Sequence, residues 1–158
     1  LIDKQYDGII LSLAGLKRLG QDHLITEVMD HKKFLPAACQ GAVGVQAKIN
    51  NDLQKVFKPI NHYTTQIECI AERNVLKKIN ANCNSPISVV SKIINDQIQI
   101  KVQLLNHTGE TIFFKTYNDS VNKYERLTDA IGNEIISEVG EKQIEQLNEL
   151  ENDFDYTP

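Results

Sequence analysis

The sequence predicts an α+β fold: a three-stranded antiparallel sheet covered by two helices, preceded by α/β pieces of another unit. Residues Gln97 to Leu105 alternate. Ile98, Ile100, Val102 and Leu104 oppose Gln97, Gln99, Lys101 and Gln103, the period of a strand with one dry face. Asn95-Asp96 and His107-Thr108-Gly109-Glu110 are hairpin signals. They join three strand patterns, Ile87 to Ile94, Gln97 to Leu105 and Thr111 to Tyr117, into a meander. Two stretches carry apolar residues at helical spacing. Thr65 to Ile79 has Ile67, Ile70, Ala71, Val75, Leu76 and Ile79; Asn122 to Val139 has Leu127, Ile131, Ile135 and Ile136. Their apolar stripes suit the dry side of the sheet.

The chain before Thr65 reads differently. Gly8 to Leu13 is a short apolar run that suits a strand buried on both faces of a parallel sheet. Ala14-Gly15 is a tight turn into a helix beginning at Leu16 to Leu19, with Lys17 and Arg18 in its N-terminal turn. Cations there oppose the helix dipole, and on residues alone both are solvated surface charges. Leu24 to Met29 is helical or turn, Asp30 to Lys33 a loop, and Phe34-Leu35-Pro36 an extended entry. In Gln40 to Lys48, Gly41 and Gly44 allow close backbone approach, and Val43, Val45 and Ala47 alternate as a strand. The segment lacks the Gly-Lys-Ser/Thr ending of a phosphate loop. Asn51 to Phe57 is a short amphipathic helix ended by Pro59. Lys58 to His62 is the expected linker, which divides the chain into a partial α/β segment, 1–60, and a C-terminal α+β domain, 61–158. Thr64 or Thr65 is the expected cap of the next helix, and His62 a helix-entry histidine with local hydrogen bonds. Cys69 reads as packing, and Glu141 to Pro158 as an acidic extension that frays.

Composition narrows the function. The 158 residues are 41% hydrophobic and 24% charged, enough for one ordinary domain or two small ones. A net charge of -4 argues against broad nucleic-acid binding. Three cysteines without a CxxC pair make neither a disulfide framework nor a zinc site, so no metal is expected and a reduced, cytoplasmic setting is the simplest. No apolar run approaches the length of a bilayer span, and no membrane partner is expected. The chain opens on Leu1, just ahead of an apolar run, and reads as a piece of a longer protein.

The stretch with the most chemistry is Ala81-Asn82-Cys83-Asn84-Ser85-Pro86-Ile87-Ser88. It places Cys83 in the turn between a helix and a strand, where Pro86 stops the helix from resuming. A loop thiol there can be reached by a ligand and held by two flanking elements. Taken alone, a single cysteine is more often a small packed hydrophobe. Five further segments precede this loop in order: Tyr6-Asp7-Gly8-Ile9-Ile10-Leu11, then Ala14-Gly15-Leu16-Lys17-Arg18-Leu19-Gly20, then Leu35-Pro36-Ala37-Ala38-Cys39-Gln40-Gly41-Ala42-Val43-Gly44-Val45, then Asn61-His62, then Ala71-Glu72-Arg73. With the Cys83 loop, this order and spacing resembles the C-terminal half of porphobilinogen deaminase, also called hydroxymethylbilane synthase. The resemblance runs from about Tyr6 to about Val90, and beyond that the chain fits only in pattern.

The resemblance implies a transferase of tetrapyrrole (heme) biosynthesis. It condenses four porphobilinogen molecules into hydroxymethylbilane, with release of ammonia, on a dipyrromethane primer held through a thioether. Cys83 falls on the attachment position. Gln40 and Gly41 inherit contacts to that cofactor, Arg18 a contact to the acidic side chains of cofactor or substrate, and Lys48 a substrate-binding position where the family usually has arginine. Lysine keeps the charge and loses the two-pronged carboxylate grip. Cys39 stands at a usual glycine, and Ala81-Asn82 at a usual glycine pair. Glu72 and Arg73 are expected to be structural. The family's catalytic aspartate lies in the N-terminal half, so this chain is expected to hold no catalytic residue and to be inactive alone. The helix ending before Cys83 turns its negative end to the thiol, so activation must come from other groups. The parent is expected to be a monomer, and the piece to self-associate through apolar surface near Gly8 to Leu13. Two readings of other classes stand beside this one: an autonomous interaction module built from helices and meander, and an inactive relative, suggested by Cys39, Lys48 and Ala81.

Overall fold

The computed structural model describes residues 5–149 except 32 and 50. The chain divides into two compact units, Leu1–Phe34 and Leu35–Pro158. Phe154 and Tyr156, at the end of the expected acidic extension, lie outside the described residues.

The first unit contains one α-helix, α1 (Leu13–Arg18), and a 3-10 turn at Asp22–Leu24. Two expectations need correction here. Residues 8–12 form no strand, and Ile9, Ile10 and Leu11 are each more than half exposed. A strand is stabilised by its ladder, and the described residues ahead of Ile87 supply no neighbouring strand to pair with. Lys17 and Arg18 stand in the last turn of α1, not the first, because the helix begins earlier than its leucine spacing suggested. There the cations complement the dipole.

In the second unit, residues 42–48 likewise form no strand, and Val43 and Val45 are exposed. Helix α2 (Asn51–Phe57) and a 3-10 turn at Lys58–Ile60 lead to α3 (Tyr63–Lys78). The N-cap of α3 is His62 rather than either threonine. Its Nδ1 accepts from the Thr65 backbone N–H at 3.3 Å and lies 2.8 Å from Thr65 Oγ1. The helix closes in a Schellman arrangement. Asn80 takes φ 52°, its N–H donates to Lys77 O, and the Ala81 N–H donates to Leu76 O.

Strands β1 (Ile87–Ile94), β2 (Gln97–Leu105) and β3 (Thr111–Ser120) form the antiparallel meander in the order β1-β2-β3. Ile94 pairs with Gln97 across Asn95 and Asp96, both at positive φ, as a two-residue hairpin of right-handed twist requires. Val89, Ile98, Ile100, Val102 and Leu104 bury one face. Helices α3 and α4 (Tyr124–Val139) pack on each other, α3 against β1 and α4 against β3, contributing Ile67, Ala71, Val75, Ile131 and Ile135 to the same core. Helix α4 does not simply lengthen. Gly140 takes φ 92°, and α5 (Glu141–Asn148) follows as a separate helix anchored by Ile144 and Leu147, which are 4% and 1% exposed. The apolar i, i+3 pair decides this, because it gives the segment its own buried stripe.

Candidate functional site

The turn carrying Cys83 is built from short polar side chains. Asn82 Oδ1 accepts from the Asn84 N–H at 2.8 Å, and Ser85 Oγ accepts from the Asn82 N–H at 2.9 Å. The Ser85 N–H donates to Asn82 O at 3.2 Å and the Ile87 N–H to Ser85 O at 2.8 Å, so the chain doubles back before β1 begins. Local side-chain bonds of this kind are why Asn and Ser favour turns. Cys83 is exposed at the apex, while Cys39 and Cys69 are half-buried, and all three are free thiols. Cys83 Sγ donates to Asn84 Oδ1 at 3.6 Å, which orients the S–H. The left-handed residue of this region is Asn80; neither Ala81 nor Asn82 adopts positive φ. The turn therefore does not use left-handed backbone at Ala81 and Asn82, where the family usually has a glycine pair.

A second polar assembly joins α3 to the edge of the sheet. β1 is an edge strand, and the two N–H groups at Ser91 and Ile93 receive carboxylates from α3. Glu72 Oε1 accepts from the Ser91 N–H at 2.7 Å and from Ser91 Oγ at 3.0 Å, and Glu68 Oε1 accepts from the Ile93 N–H at 2.8 Å. The other oxygen of Glu72 accepts from the Cys39 N–H at 2.5 Å. Glu72 is 7% exposed, and its burial is offset by these three donors. Cys39 holds φ 59° in this grip, and its Sγ donates to Cys69 O at 3.6 Å. Burial, with Cys39 alongside, pushes the Cys69 thiol up to about 11.

Between the 36–42 segment and the α3–β1 corner lies a cleft of about 300 Å³, into which Cys39, Gln40, Gly41, Glu68, Cys69 and Glu72 all face. It brings Gln40 and Gly41 together with thiols and carboxylates. Neither Cys83 nor Lys48 lines it. The two carboxylates that face it, Glu68 and Glu72, are already engaged by backbone N–H groups. Gln40, Gly41 and Lys48 are exposed, as is Arg18 in the first unit. Among the described residues no group of His, Cys, Asp and Glu could hold a metal ion. No helix among them is long and apolar enough to cross a membrane.

Some site-forming residues had no reading in the sequence. The turn itself was legible from the helix pattern ahead of it and Pro86 behind it. Asn148, whose bonds to the turn are described below, carried no local signal, since its partners are distant in the chain. Glu72 was legible as structural, but its partners were not: it binds a strand edge and a loop N–H.

Known proteins resemble this chain in sequence over both of its halves. Residues 1–55 match the family profile described as "Porphobilinogen deaminase, dipyromethane cofactor binding domain", and residues 66–137 match "Porphobilinogen deaminase, C-terminal domain". The chain is 33% identical over 132 residues to the porphobilinogen deaminase of Clostridium botulinum (strain 657 / Type Ba4), covering 84% of this chain and 45% of that protein. It is 30% identical over 142 residues to that of Carboxydothermus hydrogenoformans, covering 89% and 46%. It is 30% identical over 145 residues to that of Coxiella burnetii (strain Dugway 5J108-111), covering 91% and 47%. The chain belongs to the porphobilinogen deaminase family, whose members are transferases that use a dipyrromethane cofactor. It spans about half the length of the curated relatives it matches.

Proposed function

We propose that this chain is the C-terminal part of a cytoplasmic hydroxymethylbilane synthase, and that Cys83 is the thiol to which its dipyrromethane is attached. The observation that carries the reading is the single exposed cysteine, held at the apex of a braced turn inside the stretch matched by the family's C-terminal domain. When bound, the dipyrromethane supplies the primer on which porphobilinogen units are joined. The residues present fit such a group: the thiol is open to solvent, and no disulfide consumes it. Cys83 forms a thioether as a thiolate, so its proton must leave. The hydrogen bond to Asn84 Oδ1 would be lost in that step, so other groups must drive it. The negative end of α3 also lies just before the turn.

Arg18 and Lys48 are exposed cations available to carboxylates, Arg18 through a planar fork and Lys48 as a point charge. Gln40 and Gly41 offer amide groups at a turn whose Cys39 N–H is fixed by Glu72. Domain boundaries at 1–60 and 61–158 remain the preferred division of function: the first part presents cations and the Gln40-Gly41 turn, the second the tether. The family resemblance puts the catalytic aspartate outside this chain, so the isolated chain is inactive. The exposed Ile9, Ile10 and Leu11 give it a surface for self-association.

The test uses the complete protein with porphobilinogen as substrate. The wild type produces hydroxymethylbilane and turns pink with Ehrlich's reagent, whereas Cys83→Ser loses both. A Cys83→Ser protein with full activity would overturn the assignment.

A further inference from the structure

The Cys83 turn is not held by its own residues alone. Asn148, at the end of α5, reaches it with three hydrogen bonds. Its Nδ2 donates to Ile79 O at 2.8 Å, its Oδ1 accepts from Ser85 Oγ at 2.6 Å, and its backbone carbonyl accepts from Asn82 Nδ2 at 2.7 Å. The three partners bracket the thiol: Ile79 ends α3, Asn82 precedes Cys83, and Ser85 opens the approach to β1. We infer that Asn148 is a positioning residue for the Cys83 thiol, fixing the turn so that Sγ is presented at one place. This rests on the reading of Cys83 as the tether.

Three features make the inference physical. First, residues 82–85 lie in neither helix nor strand, and Asn80 already gives the chain a left-handed hinge. A turn that follows such a hinge needs outside bonds to hold one conformation. Second, Ile79 O is among the carbonyls a helix leaves without an intrahelical donor at its end, and Asn148 Nδ2 supplies one. Third, the bonds form a relay. The Asn82 N–H donates to Ser85 Oγ, whose O–H donates to Asn148 Oδ1, so each donor polarises the next. The anchor itself is rigid, because its neighbour Leu147 is 1% exposed in the core. Holding a reacting group in one orientation is a recognised source of rate. The C-terminal family match ends at residue 137, so α5 and Asn148 lie outside it.

The test uses the 158-residue chain and two variants, Asn148→Ala and Asn148→Asp. Amide hydrogen exchange is followed across the chain, and maleimide labelling of each cysteine is followed by peptide mass. In Asn148→Ala, exchange at Asn82 and Ser85 speeds up roughly ten-fold, and Cys83 labelling changes several-fold. Exchange within the three strands, and labelling of Cys39 and Cys69, stay as in the wild type. Asn148→Asp is nearly isosteric and keeps the acceptor for Ser85 while losing the donor to Ile79. It falls between the two, and it carries the comparison if the alanine variant does not fold. No local change at Asn82, Ser85 and Cys83, or one equal loosening of every segment, would overturn the inference. A clamped Cys83 that bears no dipyrromethane in the complete protein would instead sink the tether reading and leave the clamp standing.

Discussion

The chain's three thiols differ in what surrounds them, and the difference is measurable. Cys83 is exposed, whereas Cys69 is half-buried beside Cys39, Glu68 and Glu72, and its thiol is pushed up to about 11. At about pH 8 Cys69 therefore holds almost no thiolate, the form that alkylates. Timed alkylation with peptide mapping should find Cys83 modified first and Cys69 last; Cys69 reacting ahead of Cys83 would contradict this. Glu72 is the other residue on which much converges. Removing its carboxylate leaves the N–H groups of Ser91 and Cys39 without their acceptor. Glu72→Ala should cost about 2–3 kcal/mol in urea unfolding, and a loss within error of zero would show that water replaces the bonds. At this scale the sequence was partly legible. A cysteine flanked by Asn and Ser, ahead of a proline, announces a reachable turn because those side chains bond to nearby backbone. The role of Asn148 was not legible, because a hydrogen bond between residues so far apart in the chain has no periodicity to betray it.

Among the elements, α3 and α4 approach closely at Gly132. A Cβ added at Gly132 would lie 2.2 Å from Lys78 Cγ and 2.6 Å from its Cβ. The Lys78 Cβ is fixed to the backbone of α3 and cannot swing away. Gly132→Ala gains helix propensity but must push the helices apart, for a net loss of about 1–2 kcal/mol. A more stable variant by thermal unfolding would refute that packing. β3 is tied to α4 by Lys115, which reaches Glu134 at 2.6 Å and also Glu138, and by Tyr117, whose hydroxyl donates to Glu134 at 2.9 Å. Lys115, then Tyr117, hold the Glu134 carboxyl below its ordinary value of 4.5. A lowered folded-state value stabilises the fold above the ordinary value, and the contribution is lost as pH falls through the folded one. The pair is partly exposed, so the effect is small. Glu134→Gln should flatten the fall in stability below about pH 4.5; an unchanged acid limb would count against the coupling. The meander and both covering helices were legible because each buries one face at a fixed period. The N-terminal strands were misread for a physical reason. An apolar run states that a segment wants burial, not that a neighbour is present to pair with it.

For the molecule as a whole, the chain matches both the cofactor domain and the C-terminal domain of the family and spans about half the length of its relatives. Among the described residues it presents an exposed thiol at Cys83 and exposed cations at Arg18 and Lys48. Supplied alone with porphobilinogen, it should yield no hydroxymethylbilane, and turnover would refute its proposed dependence on further residues. The central claim is the bond at one sulfur. Its most direct measurement is peptide mass mapping of the complete, active protein. The account predicts that the peptide containing Cys83 carries an increment equal to a thioether-linked dipyrromethane, and that those containing Cys39 and Cys69 carry none. An active protein whose Cys83 peptide has its unmodified mass would contradict it.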